Sequence, residues 1–561
     1  MQQYKKLLIL LMVIGFSACT SDFEEINTNP SAISAEDASA AYFVTKPEYK
    51  LFAPTRYTYW RANLIHSDRY AGYFSFGNHG CWWSDGLGYT FHGGYTQATW
   101  EMYGDYFRFI NTLLKVTDKG GDFENDLTNA VALILKSLYY QQYTDVFGDV
   151  PYSEAGDPDV LLPKYDAQKD IYQGLITDLN AAMATIGANT VTGDGVENIG
   201  GNDLIFNGDL QKWKAFANSL KLRIALRAYG APGADFADAA INESLNAKFL
   251  DEGNGAIIVK DNGISQWESS SYGDIWHRFG GLGSKWKVSE TMINYLQDNN
   301  DPRLSLYAKP AAGGAVEFVI PADDPDDLFT KRVNYIRSTL DAAGALYTFT
   351  ETDTTVTIDL PADTYYIGQP TRLNGEIKSL VRNEFFSDPN DHIISPDPDS
   401  EDILPEIVLT TAEVFFLRAE AAVKGFAAGN AQDLMQEGIR AAMSFYGVSA
   451  GDIDAYLATS ALAVLNGTDE ENFEKISIQR WIATYTDGFE GWAVVRKSGY
   501  PSALGDGVND TEIFAHGDIN GDYPTRMQYG PGAYDLNGAS VAAAVANQGA
   551  DKQNTILWWA K

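Results

Sequence analysis

"GDLQKWKAFANSLKLRIALRAYG", residues 208–230, decides the fold class. Trp213, Phe216, Ala217, Leu220 and Ile224 recur at the i, i+3, i+4, i+7 spacing of one helical face. Asp209 is placed to cap the helix and Gly230 to stop it. The stretch is therefore expected to be an α-helix of five turns with a buried apolar stripe. Two further segments repeat the pattern. In "NDLTNAVALILKSLYYQQY" (125–143), Leu127, Val131, Ile134, Leu135, Leu138 and Gln142 share a face. "TTAEVFFLRAEAAVKGFAAGNAQDLMQEGIRAAMSFYG" (410–447) reads as two helices around a short Gly/Ala/Asn turn. Ala419, Ala422, Ala441 and Ala442 would let that pair approach closely. Such helix-turn-helix units build TPR-like arrays, although no strict 34-residue repeat runs through the chain. A mostly α-helical protein with long irregular loops is expected.

The amino terminus adds an address. Lys5 and Lys6, the apolar run "LLILLMVIG" and the small residues Ser17 and Ala18 have the layout of a secretory signal peptide. The apolar run is about half of the ~20 residues a membrane-spanning helix needs. "FSAC" (16–19) resembles the lipobox of bacterial lipoproteins, in which the cysteine is acylated and becomes the new amino terminus; Phe16 stands where leucine is commonest. Cys19 is thus expected to carry the lipid anchor. Asp22, Glu24 and Glu25 directly behind it resemble a surface-export signal, so an outer-membrane, outward-facing location is expected. Residues 1–18 would be the leader, 19–40 the acylated terminus and polar tether, and 41–561 one domain.

With Cys19 acylated, Cys81 has no partner and the fold must hold by core burial. The hydrophobic content of 45% over 561 residues suffices for that. A formal charge of -34 repels phosphate backbones and anionic headgroups, which excludes nucleic acid as a partner. The six histidines show no H-E-x-x-H spacing, and no nucleophile elbow, P-loop or dinucleotide fingerprint occurs. Paired carboxylates for glycoside hydrolysis are not readable among 75 acidic residues, so an exported glycosidase remains a rival.

Several segments carry a family resemblance, in order along the chain. "YTDVFGDVPYSEA" (143–155), "NDLIFNGDLQKWKAFANSLKLRIALR" (202–227), "DPRL" (301–304), "AEVFFLRAEAAVKGF" (412–426), "QRWIATYTDGFEGWAVVRKSGYP" (479–501) and "YPTRMQYGPGAYDLN" (523–537) are similar to signatures of the SusD/RagB family. "DFEEINTNP" after the lipid cysteine also fits. The resemblance implies a SusD-like fold, with TPR-like helical pairs on one side and irregular loops with minor β-structure on the other. It implies a non-enzymatic surface lipoprotein that captures an oligosaccharide, or in some members a peptide. The capturing protein then caps a SusC-like TonB-dependent transporter.

The family motifs themselves read as structural: Gly148, Pro151 and Tyr152 form a turn, Gly499 and Pro501 close a helix, and Trp213, Trp481 and Trp492 sit in the core. Two other segments, 70–100 and 265–286, mix aromatic with small polar residues and lack a helical period. A sugar ring has apolar C–H faces and a polar rim, so its site needs flat aromatic platforms flanked by hydrogen-bonding groups. Trp82, Trp83, Tyr89, Tyr272 and Trp276 are the candidate platforms, and Asn78, Asp85, Asp274 and Arg278 the candidate polar edge. The competing reading packs these aromatics against the body or the transporter, as in a docking subunit that binds no sugar. "HGDINGD" (516–522) places Asp518, Asn520 and Asp522 as in the start of a calcium loop, but Tyr529 stands where the closing glutamate belongs. Apart from that candidate no cofactor is expected. The acidic segment 311–364, with "TTVTIDL" as a strand, fits the family poorly and reads as an insertion.

Overall fold

The computed structural model describes residues 38–52, 56–76, 89–260, 286–371, 382–394, 404–505 and 517–561. In chain order, α1 (Thr45–Phe52) and a helical stretch over 56–70 lead into β1 (Phe74–Phe76). Then come α2 (Gly93–Thr117), α3 (Asp126–Phe147), β2 (Val150–Pro151), β3 (Tyr165–Asp166), α4 (Gln168–Ile186), α5 (Leu210–Ala228), α6 (Phe236–Leu245) and β4 (Gly255–Ile258). β5 (Trp286–Val288), α7 (Glu290–Asp298), β6 (Gly314–Val319), α8 (Leu328–Ala342), β7 (Thr348–Glu351) and β8 (Thr355–Leu360) follow. β9 (Glu406–Thr410), α9 (Thr411–Val423), α10 (Ala431–Phe445), α11 (Ala450–Thr459), α12 (Asp469–Ala483), α13 (Gly488–Ser498) and α14 (Pro531–Gln548) complete the chain.

The stretch 208–230 forms its helix as expected. The Asp209 carboxylate accepts the Gln211 and Lys212 N–H groups at 2.9 and 3.1 Å, satisfying donors that the first turn leaves open. Gly230, at φ +81°, turns the chain after the last residue. The one-sided stripe is an underestimate, however: α5 is buried on every side from Ala215 to Ala228, Lys221, Arg223 and Arg227 included. It sits inside the helical array, with α4, α6, α3 and α9 packed around it. Along α3 the inner face matches the spacing, except that Gln141 is buried and Gln142 and Leu127 are half-buried.

Consecutive helices pair: α3 with α4, α4 with α5, and α5 with α6. In the second half α9 pairs with α10, and α12 packs on α9. Gly438 makes the α9–α10 approach possible, since a Cβ there would meet the Phe416 ring at 2.7 Å. A smaller core of Phe416, Met435, Ile439, Met443, Ile453 and Ile476 fills the space between α9, α10, α11 and α12. The main core runs from Ala41 to Trp559 and contains Trp213, Trp481 and Trp492, all fully buried.

The described strands are short and antiparallel: β1 with β5, β2 with β3, β4 with β9, and a three-stranded sheet in the order β6-β8-β7. "TTVTIDL" supplies β8, the centre of that sheet; Val356, Ile358 and Leu360 alternate along it and are buried in the main core, which also takes in Val333, Ile336 and Leu340 of α8.

Where α5, α9, α12 and α13 meet, the core is charged. Arg223 grips Glu413 with two bonds, Nε to Oε1 at 3.0 Å and Nη2 to Oε2 at 2.6 Å. Arg480 donates to Glu413 at 2.8 Å and to Glu490 at 2.7 Å. Arg227 donates to both Glu490 and Asp145, and Asp145 also accepts from Tyr172 and from Gln141 at 2.6 Å. Bidentate arginine–carboxylate geometry fixes the angles between four helices in a way that apolar contact alone does not.

Candidate functional site

β1 and β5 pair in the register Phe74–Val288, Ser75–Lys287 and Phe76–Trp286. The strands are antiparallel, so the chain leaves β1 after Phe76 at the same end of the ribbon at which it enters β5 at Trp286. The two aromatic segments singled out in the sequence, far apart along the chain, therefore share one anchorage. Neighbouring strands stand ≈ 4.7–4.9 Å apart, so the two chain entries are side by side.

The anchorage is stiff. The Ser75 hydroxyl donates to the Pro370 carbonyl at 2.8 Å and accepts from Gln369 Nε2 at 3.0 Å. The Gln369 N–H donates to Val288 O at 3.0 Å, and Ser289 N–H to Tyr73 O at 3.0 Å. Lys287 is buried and satisfied by Asp388 at 2.6 Å and by the Phe386 carbonyl at 3.1 Å. Below the ribbon, Tyr73 donates to the Trp481 carbonyl at 2.7 Å, while the Trp481 indole N–H donates to Ala71 O at 2.7 Å. These bonds join the ribbon to α12 and so to the helical frame.

Trp82, Trp83, Asn78 and Asp85 lie outside the described residues, as do Tyr272, Trp276, Asp274 and Arg278, and Cys19 with its leader. Tyr89 is described, and the structure corrects its placement. It is 3% exposed, meets Tyr70 edge-on at 5.1 Å, lies under the Arg69 guanidinium at 5.0 Å, and donates to Thr371 Oγ1 at 3.1 Å. A ring covered in this way offers no open face for stacking. The sequence signal missed was its position at the return of the loop to the body, where φ is +59°.

The candidate calcium loop has other employment for its carboxylates. Asp518 accepts the Phe91 N–H at 2.8 Å, Asp522 accepts Asn554 Nδ2 at 2.8 Å, and Asn520 takes a left-handed turn conformation at φ +54°. Among the described residues no group of three His, Cys, Asp or Glu side chains is arranged to hold a metal ion.

Among the described residues, the cavity beside the buried charged core is too small for a sugar. The cavity lined by Phe52, Gln141, Asp145, Arg223, Asp487 and Glu490 measures ≈ 10 Å³, room for one water. Asp487 caps α13 by accepting the Glu490 N–H at 3.2 Å. Its burial, with the nearby Glu490 charge, pushes its pKa up to about 7. Burial would also raise Glu490, but Arg227, Arg223 and Arg480 outweigh it and hold that carboxyl well below the usual range. No helix among the described residues is long and apolar enough to cross a membrane.

The chain is similar to known structures over nearly its whole length. A SusD homolog from Bacteroides uniformis superimposes with a TM-score of 0.71 at 23% identity, covering 93% of this chain and 99% of that one. A chitin-binding SusD homolog from Flavobacterium johnsoniae gives 0.69 at 20% identity, covering 92% and 97%. A chitin-binding protein gives 0.67 at 24% identity, covering 91% and 99%. No curated protein matches the chain. The sequence profile of a SusD-like family, described as "Starch-binding associating with outer membrane", matches residues 34–319 and 354–530 and leaves out 320–353, which carry α8 and β7. With most of the chain inside that match, the protein belongs to the SusD-like family.

Proposed function

We propose that the protein is a non-enzymatic, lipid-anchored surface receptor that captures an oligosaccharide and passes it to a SusC-like TonB-dependent transporter. The observation that carries the reading is the Phe76–Trp286 pairing, which gives the segments bearing Trp82, Trp83 and Trp276 one shared base. Those tryptophans, with Tyr272, are the stacking platforms; Asn78, Asp85, Asp274 and Arg278 bind the hydroxyl rim. Cys19 holds the protein to the outer membrane. Family membership and the chitin-binding relatives make β-linked amino sugars and α-glucans the first ligands to try.

Magnitudes suit capture followed by release. One sugar face on an aromatic ring removes on the order of 100 Å² of apolar surface from water, worth roughly 2.5 kcal/mol. Two or three such contacts supply roughly 5–7.5 kcal/mol before the cost of association is subtracted, which holds affinity weaker than about a few micromolar. The test is calorimetric titration of the protein with chito- and malto-oligosaccharides, beside Trp82→Ala and Trp276→Ala. Binding that either variant weakens at least about tenfold supports the site. Absence of heat with every sugar while the transporter still co-purifies leaves a docking subunit, and turnover of a sugar overturns the binder reading.

A further inference from the structure

The first described stretch of the chain, residues 38–52, is fastened to the loop between α4 and α5 by polar contacts. Ser39 Oγ donates to the Val196 carbonyl, and Thr45 Oγ1 to the Asn202 carbonyl at 2.7 Å. One turn further along α1, Glu48 Oε2 accepts the Leu204 N–H at 2.7 Å. Asp203, the residue before Leu204, brings its carboxyl within hydrogen-bonding reach of the Glu48 carboxyl. Both groups are shut off from solvent, Glu48 at 0% exposed and Asp203 at 5%.

Two carboxyl groups so placed cannot both be charged. An ionised carboxylate is costly to bury without a cation, and a like charge beside it adds repulsion. The cations nearby are turned elsewhere: Lys46 and Arg108 of α2 lie over the Phe109 ring at 4.6 and 4.7 Å, and Lys50 lies over Tyr49 at 5.2 Å. α1 also packs on α3 and β9. Asp145 of α3 is bound by Arg227, and Glu406 of β9 faces Asp68 and Asp487. Asp203 is the charged group that faces Glu48.

The donors around the pair decide where the proton sits. Asp203 accepts the N–H groups of Ile205, Phe206 and Gly208 at 2.9, 3.0 and 2.8 Å and the Trp213 indole N–H at 2.7 Å. Four donors favour the negative charge on Asp203. Glu48 has one donor on Oε2, and its Oε1 finds none among the described residues. An O–H at Glu48 turns the repulsive contact into a charge-assisted hydrogen bond. Burial, with the Asp203 charge, pushes the Glu48 carboxyl well above the usual carboxylate range.

We propose that Glu48 and Asp203 form a one-proton latch that closes the strap 38–52 onto the α4–α5 loop and opens when that proton is lost. The folded carboxyl holds its proton more tightly than the unfolded one. The latch therefore contributes fully below the unfolded value of about 4.3, and its contribution is lost as pH rises through the raised folded value. Base loosens the strap, and acid does not. A tether running from Cys19, as in the function proposed above, would join the body at this strap; the latch does not rest on that reading.

The test follows hydrogen exchange over the strap in the full chain from about pH 5 to about pH 9, corrected for the intrinsic pH dependence of amide exchange. Glu48→Gln is measured beside the parent. The glutamine keeps the shape, accepts from Leu204 through its oxygen and donates to Asp203 through its amide at every pH. Protection of the parent strap should fall about tenfold or more across that range while α5 keeps its own, and Glu48→Gln should stay flat. The infrared difference between parent and variant should contain the carbonyl stretch of a protonated carboxyl group, fading as the strap loosens. Absence of that band at neutral pH means that Glu48 is ionised and overturns the proposal. Equal loss of protection in the two proteins overturns it as well. Where Glu48→Gln does not fold, the parent decides alone: loss of protection confined to the strap supports the latch, and protection independent of pH overturns it.

Discussion

The junction of α5, α9, α12 and α13 and the β1–β5 ribbon are both deeply buried, and they are built from different chemistry. The junction is a lattice of Arg223, Arg227 and Arg480 against Asp145, Glu413 and Glu490. The ribbon rests on rings and neutral hydrogen bonds: Tyr73 against Trp481 at 5.7 Å, Phe74 against Tyr485 at 5.2 Å, and Tyr485 stacked on Tyr307 at 4.2 Å. Its ion pair, Lys287 with Asp388, joins it to a neighbouring loop. Charged, directional contacts hold helices at set angles, and a mismatch there is expensive. Stacked rings tolerate small shifts. The helical frame and the base of the ribbon accordingly draw on different forces.

The largest expected effect comes from breaking the lattice. Glu490→Ala removes an acceptor shared by Arg227 and Arg480 and leaves buried guanidinium charge uncompensated. Loss of one partner of a buried pair costs about 3–5 kcal/mol, so the urea midpoint should fall by that equivalent. Sugar affinity, corrected for the folded fraction, should not change. A loss below about 1 kcal/mol would mean that water replaces the carboxylate and that the lattice does not set the frame.

The next effect is a pH dependence with two opposite signs on one helix end. Asp487, with its folded pKa raised to about 7, binds its proton more readily folded than unfolded, where the value is about 3.9. Its contribution to stability is full below about pH 4 and is lost as pH rises to about 7. Glu490 is held low, so its contribution is present above about pH 4.3 and is lost only as pH falls below that. Asp487→Asn keeps a capping side chain and removes the titration. It should flatten the decline between pH 4 and 7 and raise stability at pH 8, by on the order of 4 kcal/mol at most. Urea unfolding at several pH values reads this directly; a variant with the parent slope would show that Asp487 is ionised throughout.

Much of the helical frame was legible in the sequence, because apolar residues repeat locally at the helical period and caps such as Asp209 and Gly499 have local causes. β8 was legible for the same reason: Val356, Ile358 and Leu360 alternate. The lattice was not, since pairing Arg223 with Glu413 joins residues 190 positions apart. A signal for it existed, namely Arg223 and Arg227 one turn apart in a helix otherwise too apolar to face water. The three-residue ribbon left no local pattern at all, and Tyr89 was read with its loop although its contacts, Arg69, Tyr70 and Thr371, belong to the body.

Gly491 sits on the boundary between the two regions and sharpens the contrast. It lies in α13, and a Cβ there would come within 2.1 Å of the Tyr73 hydroxyl, which bonds Trp481 O. Gly491→Ala must push that tyrosine, and overpacking of this kind costs about 1–3 kcal/mol. Because Tyr73 precedes β1, the variant should also weaken oligosaccharide binding at temperatures where it remains fully folded. Glu490, one residue earlier, should not share that effect. Equal losses of affinity in the two variants would collapse the distinction between frame and base.

The smallest effect tests whether α12 is held by its lattice or by its own termini. Thr468 and Glu471 form a reciprocal capping box at its start, with the Glu471 N–H donating to Thr468 Oγ1 at 3.3 Å and the Thr468 N–H to Glu471 Oε2 at 2.7 Å. The box is exposed, three turns from Arg480, and Thr468→Ala should cost about 1 kcal/mol. Frayed residues at that end do not reach Trp481 or the Tyr73 contact, so sugar binding should be untouched, and amide exchange should quicken over the first turn alone. Faster exchange extending to Arg480 and Trp481 would show that the lattice needs the whole helix in place, and that frame and base are coupled through α12 after all.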